Sequence, residues 1–271
     1  IDSNDNLTGG AGGLLPQGDP IAPRPRQQRL FIRDVLNVVE TGLSSVPYVR
    51  EYTPATTELG ASSVAEAGNK PEVEMLWESD DAPVRKIAGW VPVTTEIIED
   101  APTLAGYIDG RLAYMLAVRE EEQVLGGSGT SPQLKGILNF AGVQAQTFST
   151  DVATTLGLAI GKIEAVDGDV DGIVMHPTDY WVMVTTRSAN QFDAGFGTGA
   201  PAGTPFGTAW GIPVIRSRAR AAGSAVVGNW GLGATLFDRM ETTIRVGNQH
   251  SDFFTTNKVA VLAEERVALA V

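Results

Sequence analysis

The segment at 101–125 is the sequence feature that most limits the possible folds. It reads APTLAGYIDGRLAYMLAVREEEQVL, and its apolar side chains recur at helical spacing: Leu104, Ile108, Leu112, Met115 and Leu116. Asp100 can act as the N-cap, Pro102 suits the first turn, and Gly126-Gly127 ends the pattern. A helix of this length spans ~37 Å, which is more than a compact domain of this size requires. The sequence therefore predicts a helix that serves as a spine for the fold.

The segments before this helix predict an arm, two strands and a projecting loop. Residues 1–29 carry prolines at positions 16, 20, 23 and 25, which favour an extended N-terminal arm over a helix. Residues 31–42 have a helical pattern that ends at Gly42. The β-rich stretches VPYVREYTP and, at 84–98, VRKIAGWVPVTTEII enclose a polar, acidic segment at 53–84. Because such a segment cannot bury itself, we expect a long two-stranded excursion that binds a partner.

The second half of the chain alternates between helical and strand patterns. We expect a helix at about 151–166, a buried strand at GIVMHP and a helix that begins at Pro177. A glycine-rich loop at 195–207 then leads to strands at GIPVIRS and SAVVGNW, and the tail forms strands at TTIRVGN and NKVAVLAEERVALAV. This order predicts an α/β block at about 130–235 that is inserted between the two halves of another domain.

Composition excludes several classes of protein. The formal net charge of −12 argues against a surface that grips phosphate backbones, and the absence of cysteine excludes disulfides and thiol chemistry. No run of apolar residues is long enough to predict a membrane span. The composition therefore favours a globular protein that does not read nucleic acid.

Three motifs suggest ligand binding, and each lacks a required part. DGDVDG at 167–172 matches the first half of a calcium loop, but Thr178 stands where the bidentate Glu belongs, so a solvated turn is the alternative interpretation. GGSGTSPQLKG at 126–136 is rich in glycine, but it follows a helix and lacks the end of a phosphate loop, which favours a helix stop and a flexible connection. His176 and His250 have no neighbouring zinc ligands. We therefore predict no metal and no cofactor.

Two pairs of adjacent carboxylates, Glu264-Glu265 and Asp80-Asp81, could suggest a glycosidase. Adjacent residues on a strand point to opposite faces, so neither pair can work on one substrate. The arm, the projecting excursion and the spine helix instead favour a subunit of an assembly over an enzyme.

The order and spacing of eight short stretches resemble the major capsid proteins of tailed phages with the Hong Kong 97 fold. Between Leu30 and Val271 these stretches are LFIRDVL, YVRE, VAEAGNKPE, KIAGWVPVTTEIIEDAP, YIDGRLAYMLAVREEEQVLGGSGT, LKGI, WGIPV and AEERVALA. The resemblance implies an α+β capsid fold in four parts. These parts are an N-terminal arm (1–29), an extended β loop (53–84), a peripheral domain with the spine helix (30–52, 85–129 and 236–271), and an inserted axial α/β domain (130–235).

The resemblance also implies partners and a place of action. Subunits of this family assemble with copies of themselves into hexamers and pentamers of an icosahedral shell. We therefore expect a virion protein that assembles in the host cytoplasm around packaged double-stranded DNA, without sequence-specific binding and without a membrane. Portal and decoration proteins are the further partners. A scaffolding segment is removed by proteolysis in the family, so we expect Ile1 to lie at or near that cut.

A covalent cross-link between subunits is a further implication of the resemblance. In some family members an isopeptide bond joins a Lys of the extended loop, just before a Pro, to an Asn of the last strand, and a nearby Glu promotes the reaction. The matching residues here are Lys70, Asn257 and Glu264. The apolar residues around the family's site match Val64, Met240 and Leu262.

The chemistry agrees with these residue types. A free lysine has a pKa of ~10.4, so few amines are neutral at pH 7, and only the neutral amine attacks a carboxamide. Burial among apolar side chains lowers the pKa of a lysine and raises that of a carboxyl group. We therefore expect Glu264 to take the amine proton and to hand it to the departing ammonia. Because Asn257 and Glu264 are seven positions apart, they face opposite sides of a regular strand, which favours a site built from different subunits.

Two alternatives to a phage capsid remain open from the sequence. The first is an encapsulin-like nanocompartment shell, which would have the same fold without a virus. The second, from another class, is a soluble hydrolase that uses Glu264 or Asp80 as its carboxylate.

Overall fold

The computed structural model describes residue 27 and residues 32–52, 63–70, 76–96, 102–166, 168–185, 207–250 and 252–271. The expected arm at 1–29, apart from residue 27, and the glycine-rich loop at 195–207, apart from Gly207, lie outside the described residues. The fold is α+β and contains a four-stranded sheet with one long helix, a two-stranded ribbon, and a second four-stranded sheet.

The first sheet, which we call the large sheet, has the strand order β1-β9-β10-β4. Its strands are β1 (Asn37–Glu40), β4 (Arg85–Thr94), β9 (Thr235–Gly247) and β10 (Lys258–Ala270). β10 is antiparallel to both β4 and β9, and β1 is parallel to β9. Alternate residues of β10 enter the main core, namely Val261, Ala263, Val267 and Leu269.

The helix α2 (Pro102–Gly126) confirms the long helix expected from the sequence, which ends at Gly126. It packs against β4 and β10, with Leu112 and Leu116 buried in the main core. Met115 was expected in the same stripe but is exposed. Met115 lies about 100° around the helix from Leu116, which places it on the flank rather than on the buried face.

The segment at 31–42 does not form the single helix that its pattern suggests. A helix of one turn, α1 (Ile32–Val35), is followed at once by β1. β1 pairs with β9 from Asn37 to Glu40, and Ile32 and Leu36 fill the main core. The parallel pairing of β1 with β9 therefore overrides the helical spacing, and the two valines of β1 suit a strand.

The ribbon consists of β2 (Ser45–Tyr52) and β3 (Leu76–Pro83) in antiparallel pairing. The stretch at 84–98 contains a strand, as expected, but this strand is β4 of the large sheet, and the partner of β2 is β3, which lies within the segment expected as a loop. β3 lacks the alternating apolar pattern of a half-buried strand, because its central residues are polar. These residues pair across the ribbon: the Tyr48 hydroxyl donates to Asp80 at 3.2 Å, and Arg50 forms an ion pair with Glu78 at 2.7 Å. The foot of the ribbon packs on the end of β10, where Val46 and Ala82 contact Ala268 and Ala270.

The second sheet has the order β6-β7-β5-β8, with β5 (Gly172–Met175), β6 (Gly207–Ala209), β7 (Ile212–Arg216) and β8 (Ala225–Gly228). The helices α3 (Val152–Glu164) and α4 (Pro177–Thr185) confirm the helices expected in this part of the chain. A short helix, α5 (Trp230–Gly233), precedes β9. Ile173 and Met175 pack with α3 and α4, whereas Val174 belongs to the main core. The assignment of 130–235 as an axial domain stays a prediction.

Candidate functional site

The predicted reactive carboxylate lies on the face of the large sheet that is opposite to α2, which we call the outer face. Because opposed residues of neighbouring strands point the same way, the register defines this face. Leu262 lies opposite Trp90 and Arg245, and Met240 lies opposite Arg266. The outer face therefore carries Lys86, Trp90, Met240, Arg245, Leu262, Glu264 and Arg266.

Glu264 is enclosed by cations on the outer face. The Lys86 ammonium lies 3.1 Å from Oε2 of Glu264, and the Arg245 guanidinium lies 3.7 Å from Oε1. The side chain of Glu264 is only 8% exposed, whereas those of Lys86 and Arg245 are 49% and 64% exposed. The carboxylate is thus covered by two flexible side chains rather than by the protein core.

The pKa of Glu264 is lowered from its usual range. The largest cause is the hydrogen bond from Lys86, and the charges of Lys86, Arg245 and Arg266 act in the same direction against the desolvation of the carboxylate. We expected the assembled site to raise this pKa. In the single subunit the opposite holds, because the covering groups are cations and not the apolar side chains of the expected pocket.

Asn257 lies in the turn before β10 and is exposed. Its backbone φ is +50°, and its carbonyl accepts hydrogen bonds from the Thr95 N–H at 2.8 Å and from the Thr95 hydroxyl at 3.1 Å. Because the strand begins at Lys258, the even–odd alternation of a strand does not fix the side on which Asn257 stands. The six steps from Lys258 to Glu264 nevertheless cover ~20 Å of extended chain. One subunit therefore keeps the amide and the carboxylate well apart.

Lys70 follows a tight turn in the described segment 63–70 and is exposed. The Gly68 N–H donates to the Ala65 carbonyl at 2.9 Å, and Ala67 has a φ of +65°. A Cβ at position 68 would come within 2.8 Å of Cγ1 of Val64 and 3.1 Å of the Ala65 carbonyl oxygen, so a larger residue there would displace the Val64 side chain. The turn thus holds Val64 and Lys70 on the same short segment.

The structure divides the six predicted site residues into three groups. Met240, Leu262 and Glu264 share the outer face, and the first two are half-buried there. Asn257 stands at one end of β10, and Val64 and Lys70 lie on the loop segment. Within the described residues, the ion-pair partners of Glu264 are Lys86 and Arg245, not Lys70.

A second acidic cluster, which the sequence pattern did not predict, lies on the opposite face of β10. Arg33 donates to both carboxylate oxygens of Glu120 at 2.9 Å and forms an ion pair with Asp238. The carboxylate of Glu121 accepts hydrogen bonds from the Ile32 N–H at 3.2 Å and from the Ser217 hydroxyl at 2.8 Å. Glu265 accepts a hydrogen bond from the Thr242 hydroxyl at 3.0 Å. The signal in the sequence is the run of three glutamates near the end of a helix with an apolar stripe.

Burial raises the pKa of two of the four acids of this inner cluster, which consists of Glu120, Glu121, Asp238 and Glu265. It raises the pKa of Glu120 to about 7, although the Arg33 charge acts in the opposite direction. Burial also raises the pKa of Glu265. The four acids join α1, α2, β9, β10 and the residue after β7, which gives the inner cluster a structural role.

The three sequence motifs have structural roles. Asp171 of DGDVDG accepts hydrogen bonds from the N–H groups of Trp230 and Gly231 at 2.7 and 2.9 Å, so it binds the first two N–H groups of α5, whose N-cap is Asn229. Asp167 lies outside the described residues. In the parts of the chain that the structure covers, no group of three or more His, Asp or Glu residues could hold a metal ion.

The glycine-rich segment at 126–136 is not the flexible connection that we expected. The Gly136 N–H donates to the Gly127 carbonyl at 2.8 Å, and Gln123 accepts from the Leu134 N–H at 3.0 Å. Side chains at positions 127 and 136 would collide with backbone atoms, which explains the two glycines. The segment is a compact turn that ends α2.

The histidines and Asp80 are also accounted for. Nδ1 of His176 accepts from the Thr178 N–H at 3.2 Å, and the His250 ring packs 5.1 Å from that of Trp90. Asp80 accepts from the Asp81 N–H at 2.8 Å, and this bond is the largest cause of its lowered pKa. No described helix is long and apolar enough to span a membrane.

The chain is similar to several known proteins. The sequence model of the phage capsid family matches residues 17–271. The major capsid protein of Enterobacteria phage HK97 is 34% identical over 264 residues, which cover 96% of this chain and 67% of that protein.

Solved structures of two phage proteins share the fold. A chain from Microbacterium phage Oxtober96 has a TM-score of 0.73 at 17% identity, and the aligned part covers 95% of this chain and 90% of the phage chain. A chain from Mycobacterium phage Bobi has a TM-score of 0.69 at 16% identity, with 96% and 87% covered.

A third similar structure is described as the capsid of a native GTA particle computed with C5 symmetry. It has a TM-score of 0.67 at 16% identity, and the aligned part covers 98% of this chain and 95% of the similar chain.

Proposed function

Because the chain belongs to the phage capsid family, and is thus a structural component of a virion shell, we propose that its copies are joined by isopeptide bonds between Lys70 and Asn257. Glu264 is the proton acceptor and donor of this reaction. Family membership removes the alternative of a soluble hydrolase, and Asp80, its other candidate, is engaged in the ribbon.

The observation that carries the proposal is the separation of the reactive groups within one subunit. Asn257 precedes β10, whereas Glu264 lies six steps along it from Lys258, at ~20 Å. A lysine that meets both groups therefore needs two strands β10 from different copies. Such a site stays incomplete in the free subunit, and assembly completes it.

The reaction needs no oxidant and no cofactor. Glu264 takes one proton from the Lys70 ammonium, and the neutral Nζ attacks Cγ of Asn257. The tetrahedral intermediate loses its former side-chain nitrogen as ammonia, which takes up protons from the attacking nitrogen and from Glu264. One C–N bond forms and one breaks, and the products are a secondary amide and an ammonium ion. Holding amine and amide together adds effective molarity.

The half-buried Met240 and Leu262 flank Glu264 on the outer face, and Val64 accompanies Lys70 on the loop segment. When these three apolar side chains meet in the assembled shell, they exclude water from the reacting groups. Exclusion of water favours the neutral forms of amine and carboxyl group, which the proton transfer requires.

The test is a denaturing gel of purified, boiled shells. We expect a ladder of covalent oligomers for the wild-type chain and only the 28.6 kDa subunit for Lys70→Arg, which keeps the charge but loses the reactive primary amine. The matched control is Lys162→Arg, because Lys162 is exposed on α3 and bonds the Ala145 carbonyl. Mass spectrometry should find the Lys70 and Asn257 peptides joined with loss of one ammonia. A wild-type gel without a ladder would contradict the proposal.

We further propose that the shell consists of hexamers and pentamers, encloses double-stranded DNA and carries portal and decoration proteins. The net charge of −12 suits an inner surface that does not hold packaged DNA tightly. Electron microscopy of purified particles, with a measurement of their nucleic-acid content, tests this point. Particles that hold protein cargo and no DNA would instead indicate a nanocompartment.

A further inference from the structure

The two cations over Glu264 present an obstacle to the proposed reaction. Lys86 and Arg245 reach the carboxylate from strands on either side of β10, and each contacts a different oxygen. Together they leave Glu264 almost without access to solvent, although both cations are themselves well exposed. A lysine from another copy cannot reach the carboxylate until at least one of the two moves aside.

The same two cations weaken the carboxylate as a base. A carboxylate that is paired with an ammonium and a guanidinium holds a proton less readily than an unpaired one. The charges that face Glu264 are Lys86 on β4, Arg245 on β9 and Arg266 on β10 itself. An approaching Lys70 ammonium meets all three as like charges.

We propose that Lys86 and Arg245 form a removable cover over Glu264, which docking of the Lys70 loop from a second copy of this chain displaces. This inference rests on the cross-linking function proposed above. The two cations are positioning residues, since they act through Glu264 and not on the reacting atoms. The cover keeps the carboxylate paired in the free subunit and releases it in the assembled shell.

Charge complementarity identifies the segment that displaces the cover. The stretch at 66–81, EAGNKPEVEMLWESDD, contains one lysine among six acids. Glu66 lies in the described turn that leads to Lys70 and is exposed. When the loop reaches the outer face of another copy, Glu66 can form an ion pair with Lys86 or Arg245 of that copy and so replace Glu264 as its partner. The acid residues of the loop thus offset the repulsion on Lys70 and draw the cations away.

The test compares cross-linking rates in shells harvested early after induction and incubated between pH 5 and pH 8. In Lys86→Met the Glu264 carboxylate loses its closest partner. We expect the plateau rate to rise on the order of threefold to tenfold and the acid limb of the pH–rate profile to move to higher pH. Arg245→Met should have the same effect to a smaller degree, because its contact is longer. Lys86→Arg should restore the wild-type profile, since it keeps the cation.

Glu66→Gln tests the docking step. It should slow cross-linking in the wild-type background and have a smaller effect in the Lys86→Met, Arg245→Met background, where no cover is left to displace. Arg119→Met is the control, because Arg119 is an exposed cation paired with Glu122 on α2. If Lys86→Met prevents assembly, Arg245→Met still reports the shift, because Arg245 is the more exposed partner.

The outcomes distinguish a failure of the proposed cover from a failure of the proposed cross-link. A wild-type ladder together with an unchanged pH–rate profile in both methionine variants overturns the cover alone, and so does a loss of rate that Lys86→Arg fails to restore. A wild-type chain that forms no ladder at all overturns both proposals.

Discussion

Glu264 and Glu265 are neighbours in the sequence, yet their pKa values move in opposite directions. Glu264 points to the outer face, where Lys86, Arg245 and Arg266 lower its pKa. Glu265 points to the inner face, where burial beside Asp238 raises its pKa and Arg33 only partly offsets this. Both residues are nearly inaccessible to solvent. Accessibility alone thus does not determine the protonation of a carboxyl group, since it is the identity of the covering groups that decides it.

The two faces also differ in what their acids can do. The inner cluster has its cation and its hydrogen-bond donors within the same subunit, so its acids serve the fold. The outer face offers an acid whose partners are long, exposed side chains that can move. We therefore expect inner substitutions to change stability and outer substitutions to change the chemistry between subunits.

Removal of the inner cation should have the largest effect on the free subunit. Arg33→Met leaves Glu120 and Asp238 buried without their shared partner, which we expect to lower the free energy of unfolding by roughly 2–4 kcal/mol at pH 8. Urea unfolding of unassembled subunits measures this. Arg119→Met, which breaks an exposed pair, should cost less than about 0.5 kcal/mol. An equal loss of unfolding free energy in the two variants would contradict the expected difference between the buried and the exposed ion pairs.

Glu120 should give the subunit a characteristic dependence on pH. Its pKa of about 7 in the folded chain exceeds the ordinary value of 4.5, so between these values the folded state binds more protons than the unfolded state. The contribution of Glu120 is therefore complete below about pH 4.5 and is lost as the pH rises through 7. The loss amounts to at most about 3 kcal/mol.

Urea unfolding at pH 5, 6, 7 and 8 tests this dependence on Glu120. Glu120→Gln should flatten the decline in stability relative to the wild-type chain, because the amide does not titrate. An identical slope in both chains would show that the inner face does not act as described. Glu264, whose pKa is lowered, should contribute in the opposite sense, with stability lost only as the pH falls below its ordinary range.

Exchange of Glu264 for its amide should have the smallest effect on stability and the clearest effect on function. Glu264→Gln should change the free energy of unfolding by less than about 1 kcal/mol, because both cation partners are exposed to solvent, and should abolish the covalent ladder. Glu265→Gln should leave the ladder in place. The denaturing gel of boiled shells reads out both variants. If only Glu265→Gln lost the ladder, the proton transfer would belong to the inner face, which would contradict the role proposed for Glu264.

Much of the fold could be predicted because its signals are local. The helix at Pro102–Gly126 has an apolar stripe and a glycine stop, and α3 begins after Asp151, whose carboxylate accepts from the Thr154 N–H at 2.6 Å. The alternation in β10 predicted that Glu264 and Glu265 lie on different faces, and the structure confirms it. Residue order and spacing predicted the capsid family, which the comparisons confirm.

The remaining features depend on partners that are distant in the sequence. β1 is a strand because it pairs with β9, nearly two hundred positions away, and β3 is one because its acids meet Tyr48 and Arg50. The cover on Glu264 needs three strands in register, so neither Lys86 nor Arg245 stands out in the sequence. The positions of Lys70, Asn257 and Glu264 in an assembled shell depend on other copies of the chain and stay a prediction.

The hydrogen bonds of Glu121 have a consequence for folding. Its carboxylate joins the Ile32 N–H, 89 positions earlier, to the Ser217 hydroxyl, 96 positions later. During synthesis this carboxylate cannot form its bond with the Ser217 hydroxyl until Ser217 has been added to the chain. Contacts of such long range slow folding, because a large loop must close before they form. A chain that ends before Ser217 therefore lacks this buried hydrogen bond between α2 and the residue after β7.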